Sequence, residues 1–137
     1  MKAVAVDLAA LGDVDPLWRD WLDDAARRFR VDVGALDAQL PNWRPLLERF
    51  AEERAPVYFR RDAGVTEALR RLHAAGVRIG VFTGAPEELA RVALPHLGAD
   101  GRVDALETGD GARERLLRTL GDDTVTVGTR SELVALR

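Results

Sequence analysis

The sequence predicts an α/β domain, a three-layer sandwich in which helices cover both faces of a parallel sheet. Three observations predict it. Short, nearly continuous apolar runs alternate with amphipathic stretches of helical period. Glycines at 76 and 98 stand where those helices should stop. One segment, residues 14–63, interrupts the alternation with helical patterns alone. Strand, helix, strand in regular succession implies right-handed crossovers and parallel pairing.

The elements follow in order. "KAVAVDL" (residues 2–8) is almost wholly small and apolar, as a strand covered on both faces should be. "PLWRDWLDDAARRF" is an amphipathic helix carrying Trp18, Trp21, Leu22, Ala25 and Phe29 on one side. A second helical stretch starts near Val33, and "RPLLERFAEER" forms a third after the break "LPNW". Seven of the eight aromatic residues fall between Trp18 and Phe59. This segment is therefore expected either to hold a small core of its own or to cover the open end of the sheet, with the aromatics as packing. From Gly64 to Ala75, Val65, Ala68, Leu69, Leu72 and Ala75 recur at helical spacing. "VRIGVFT" is a second strand, and Pro86 opens a helix with Leu89, Val92, Ala93 and Leu97 on one stripe. "RVDALE", "ARERLLRTL", "TVTVGT" and "SELVALR" complete the pattern as strand, helix, strand and helix.

Composition narrows the function. A chain of 137 residues suits one domain. No apolar run approaches the ~20 residues of a bilayer span, and no secretory signal is recognisable, so a cytoplasmic location without membrane association is expected. Cysteine is absent, which excludes disulfides, thiolate metal sites and a cysteine nucleophile. A net charge of −3, with arginines interspersed among acids, argues against nucleic acid as partner. His73 and His96 lie at helix ends, far apart in sequence, and give no metal-ligand spacing.

Ligands of an open parallel sheet bind at the carboxyl ends of the strands. Those ends are Asp7, Thr83, Glu107 to Asp110 and Gly128 to Thr129. With "GVTEALRRLHAAGVRIGVFTGAPEELARVALPHLGAD" (64–100) and "VTVGTRSEL", the chain resembles the haloacid dehalogenase superfamily of phosphatases and related hydrolases along nearly its whole length. The resemblance implies a Rossmann-like core of residues 1–13 and 64–137, with residues 14–63 as a small helical cap inserted after the first strand.

The resemblance also assigns roles. Asp7 takes the position of the nucleophile that forms an aspartyl-phosphate. Two residues on, where the family has the acid that protonates the leaving oxygen, stands Ala9. The family's following Gly and Thr are matched by Ala10 and Leu11. Thr83 and Gly84, with the helix opened by Pro86, keep the anion-holding corner. The loop that should supply a lysine, "ETGDGARERLL", has none, since Lys2 is the only lysine. Arg113 is a poor replacement for a compact ammonium. Thr129 stands at the leading position of the Mg²⁺-anchoring acids, with Glu132 the one acid nearby. The spacing "DVDP" offers Asp13 and Asp15 as a rival acid pair, but these read better as a turn, with Asp15 capping the helix from Pro16.

Two functions follow. The first is a hydrolase fold with a degraded site at Ala9, Leu11 and Thr129, working as a binding or assembly module and needing no cofactor. Its expected partners are a phosphate-like small anion, or a protein or second copy docked on the cap or sheet edge. The second is a Mg²⁺-dependent phosphoric monoester hydrolase with Asp7 as nucleophile, a metal held by Asp7 and Glu132, and Asp110, Glu132 or Asp13 as the missing acid. A receiver-like domain would need a late lysine and a better-placed acid than Asp104, and a dinucleotide-binding module a glycine-rich loop after the first strand.

Overall fold

The computed structural model describes residues 1–137, the side chain of Asp100 excepted. Its organising element is strand β1, Ala3–Asp7, which pairs in parallel with β2 (Arg78–Thr83) on one side and β4 (Thr124–Val127) on the other. Strand β3 (Ala105–Thr108) extends the sheet beyond β2, giving the order β3-β2-β1-β4 with every pair parallel. Asp7 is in register with Phe82, and Val6 with Val127. The carboxyl ends of the four strands therefore share one edge, as the sequence predicts.

The apolar run of β1 has a direct cause. Ala3, Val4, Ala5 and Val6 are all buried, because layers lie on both faces of the central strand. The two faces differ in side-chain size. Val4, Val6, Ile79 and Val81 belong to the larger core, together with Val65, Ala68 and Leu69 of α4 (Ala63–Ala74) and Leu89, Ala90 and Ala93 of α5 (Glu87–His96). Leu133 of the short helix α7 (Arg130–Ala135) joins them. On the opposite face a single helix, α6 (Ala112–Leu120), packs Leu116 and Leu120 on Ala3 and Ala5. Small residues there let that helix sit close to the strands. At Gly80 a β-carbon would lie 2.6 Å from Leu116 Cδ1.

Between β1 and α4 run α1 (Asp15–Phe29), a 3₁₀ turn (Val33–Ala35), α2 (Leu36–Gln39) and α3 (Trp43–Tyr58). Three indoles bind α1 to α3: Trp18 stacks on Trp21 with centroids 5.6 Å apart, and Trp43 lies 6.1 and 5.9 Å from the two. Trp21, Trp43, Leu47, Ala51 and Ala55 are part of the same continuous core as Val4 and Val6. The apolar side chains of this segment thus share one cluster with those of the sheet. An ion pair of 2.9 Å between Arg44 and Glu88 links α3 to α5.

One capping detail is corrected. Helix α1 begins at Asp15 itself, preceded by Val14 with no side-chain cap. The turn is closed instead by Asp13, whose carboxylate accepts the Asp15 N–H at 3.0 Å.

The tight seat of α6 carries a prediction. Gly80→Val should lower the unfolding free energy by about 1–3 kcal/mol, the usual cost of overpacking, as measured by urea denaturation. Gly84→Ala, at a position with open space around it, should leave stability nearly unchanged.

Candidate functional site

At the end of β1 the chain turns sharply through a 3₁₀ turn, Leu8–Ala10, and Asp7 is its N-cap. The Asp7 carboxylate accepts the Ala9 N–H at 3.0 Å, so it is satisfied by the backbone two residues on. Asp7 enters no ion pair among the described residues. Ala9 is exposed and presents a methyl group, while Ala10 and Leu11 are buried in the core. Where the resemblance places an acid and a hydroxyl, the chain thus offers hydrocarbon.

At the end of β2, Thr83 is buried and its Oγ accepts the Ala85 N–H at 3.2 Å. Thr83 and Gly84 line a cleft of about 400 Å³ whose other walls are Asp15, Trp18, Leu36, Trp43, Ala85 and Pro86. The helix that follows, α5, opens with Glu87 and Glu88, whose charges offset the positive end of its dipole.

The loop from β3 to α6 is built on Gly109 and Gly111, both at left-handed φ (78° and 73°). Arg115 secures it, with Nε donating to Glu107 Oε2 at 3.1 Å and the two other nitrogens donating to the carbonyls of Thr108 and Asp110. Arg113 is exposed. The cation at this corner is therefore Arg115, committed to its own loop, and sequence reading missed it.

The fourth corner is a helix cap. Thr129 Oγ accepts the Glu132 N–H at 3.1 Å and donates to Glu132 Oε1 at 3.1 Å. Together they close the first turn of α7, with Thr129 as its N-cap, for which the pattern Thr-x-x-Glu was the available signal. Beside it Arg130 grips Asp62 in a two-pronged pair, Nε to Oδ2 at 2.6 Å and a terminal nitrogen to Oδ1 at 3.0 Å. Asp62 also accepts the Val65 N–H, capping α4. The hydrogen bond from Arg130, then that from Val65, draws the Asp62 carboxyl down from an ordinary 3.8 to about 2. This pair borders a second cleft, of about 380 Å³, that includes Ala9, Leu11, Asp13 and Arg60.

The predicted residues are therefore not gathered in one cavity. Thr83 and Gly84 share a cleft with Asp15 and two indoles, Ala9 and Leu11 line another, and Thr129 and Glu132 are joined to each other. Asp110 contributes its carbonyl to Arg115. Asp104 is tied to the sheet, its carboxylate accepting the Ile79 N–H at 2.8 Å.

Of the two acids assigned to a metal, Glu132 has one carboxylate oxygen bonded to Thr129, and Asp7 has one bonded to the Ala9 amide. Nowhere among the described residues do three His, Cys, Asp or Glu side chains converge.

No protein-family model matches the chain, and no curated protein does either. Among solved structures, a protein of Thermotoga maritima named as a beta-phosphoglucomutase is similar, at 18% identity and a TM-score of 0.58, over 92% of this chain and 75% of that one. A hydrolase from Streptococcus pneumoniae TIGR4 aligns over 79% of this chain and 67% of its own, at 17% identity and a TM-score of 0.40. The first likeness establishes the fold, which is the haloacid dehalogenase-like α/β fold. Among the described residues no helix is long and apolar enough to cross a membrane.

The Asp62 pair makes a pH prediction. A carboxyl held below its ordinary value stabilises the fold above that value and loses the contribution as pH falls through its folded pKa. The stability gap between the wild type and Asp62→Asn should be constant above pH 4 and close between about pH 4 and 2. Urea midpoints at stepped pH check it, and a gap independent of pH would contradict the pairing.

Proposed function

We propose that this chain is a small-molecule binding protein on a haloacid dehalogenase-like fold and does not transfer phosphoryl groups efficiently. The observation that supports the reading is the occupation of the corners. Ala9 has no proton to give a leaving group. Asp7 and Glu132 each give one carboxylate oxygen to a neighbour in their own turn, and Arg115 gives its guanidinium to Glu107 and two carbonyls. Phosphoryl transfer depends on positioned charge, with a cation on the transferred oxygens and an acid at the leaving group. Asp7 lacks both, and a bare carboxylate repels a phosphate dianion. In this reading residues 14–63 act as a cap over a core of residues 1–13 and 64–137. Trp18, Leu36 and Trp43 facing Thr83 across the cleft support that division.

The fold itself favours a second reading, a Mg²⁺-dependent phosphoric monoester hydrolase in which Asp7 attacks phosphorus. It requires Glu132 to leave Thr129 and join Asp7 in holding the metal. The cost is the exposed hydrogen bond from the Thr129 hydroxyl to the Glu132 carboxylate, while the cap on the Glu132 N–H remains.

Hydrolysis of p-nitrophenyl phosphate with Mg²⁺ separates the two. Turnover is expected far below the ~1 s⁻¹ that marks the slow end of ordinary enzymes, and equal in wild type and Asp7→Asn. A rate near 1 s⁻¹ that disappears in Asp7→Asn would establish the hydrolase.

A further inference from the structure

The cleft at Thr83 has a charge and surface unlike those an anion needs. No Lys or Arg lines it, and its one charged wall residue is the exposed Asp15. The Asp15 carboxylate enters no ion pair among the described residues. Two guanidiniums adjoin the cleft's indoles in sequence: Arg44 lies 4.4 Å from the ring centre of Trp43 and is paired with Glu88, and Arg19 donates through Nε to the Asp15 carbonyl at 3.5 Å, not to its carboxylate. At the mouth of α5 the Ala85 N–H already donates to Thr83 Oγ, and Glu87 and Glu88 occupy the first turn. One amide there is thus taken, and the two carboxylates of the first turn, paired with Arg91 and Arg44, already occupy the positive end of the dipole.

What remains is an aromatic wall with a carboxylate beside it. Trp18 is half-buried and stacks on Trp21, leaving part of its indole to line the cleft beside Trp43, Leu36 and Pro86. Indole faces attract cations, most strongly where water is partly excluded. A volume of about 400 Å³ falls in the range of small-molecule clefts.

We infer that this cleft binds an organic cation, an ammonium compound with an apolar or aromatic body, seated on Trp18 with its charge toward Asp15. The inference rests on the non-catalytic reading above and deepens it by naming the ligand class. Thr83 contributes a hydroxyl to the polar end, and Leu36 and Pro86 enclose the body.

Two probes of matched size test it: benzyltrimethylammonium and phenyl phosphate, each titrated against the whole chain and followed by tryptophan fluorescence and calorimetry. The ammonium should bind saturably and phenyl phosphate should not. Asp15→Asn should weaken the ammonium about two- to fivefold, as removal of an exposed charge does. Asp15→Lys should abolish the preference for the cation, with thermal unfolding showing both variants folded. Equal or tighter binding of phenyl phosphate, an ammonium affinity indifferent to Asp15, or no saturable ammonium binding would overturn the inference. Mg²⁺-dependent hydrolysis of phenyl phosphate in the same samples would instead overturn the non-catalytic reading. A missing ammonium signal without hydrolysis removes the ligand class alone.

Discussion

The structure depends on a carboxylate fixed at the end of a strand that is buried on both faces. Asp7 cannot move far, because Ala3 to Val6 behind it are locked between β2 and β4. Its oxygen is held by the Ala9 amide at 3.0 Å. That hydrogen bond is local and inexpensive, and Asp7 enters no ion pair among the described residues. The corners around it are closed in the same manner, each polar group being satisfied within its own turn. Glu107, Arg115 and two carbonyls hold one loop, and Thr129 and Glu132 start one helix. These arrangements stabilise the backbone, and the proposed non-catalytic reading rests on them.

The helices between β1 and α4 add the second feature. Their aromatic residues pack, as indoles in a small domain generally do, yet Trp18 and Trp43 also form one wall of a cleft whose other side is the Thr83 turn. Packing and lining are compatible because Trp18 is only half-buried. The ion pair Arg44–Glu88 and the pair Asp62–Arg130 fasten this segment and its exit to α5 and α7. Both are exposed, so the shared hydrophobic core carries most of the attachment.

Much of the fold was legible in the sequence. Uninterrupted small apolar runs marked β1 and β2, since neither has a solvent face to encode, and Gly76 and Gly98 closed the helices at left-handed φ. The replacements at Ala9, Leu11 and Thr129 were legible as identities. Their consequences were not. Glu132 looked like an available acid, although Thr-x-x-Glu already described the cap it forms. The pairing of Asp62 with Arg130 spans 68 residues and follows from how α4 docks against α7, which periodicity does not encode. The cleft between Trp18 and Thr83 has the same origin: its walls belong to elements that meet only through the packing of α1 and α3 on the sheet.

The most direct test of the central claim is whether Asp7 holds a divalent cation. Thermal unfolding of the wild type and of Asp7→Asn should respond identically to added Mg²⁺, with no saturable rise in melting temperature that depends on Asp7. A saturable rise in the wild type that is lost in Asp7→Asn would contradict the account.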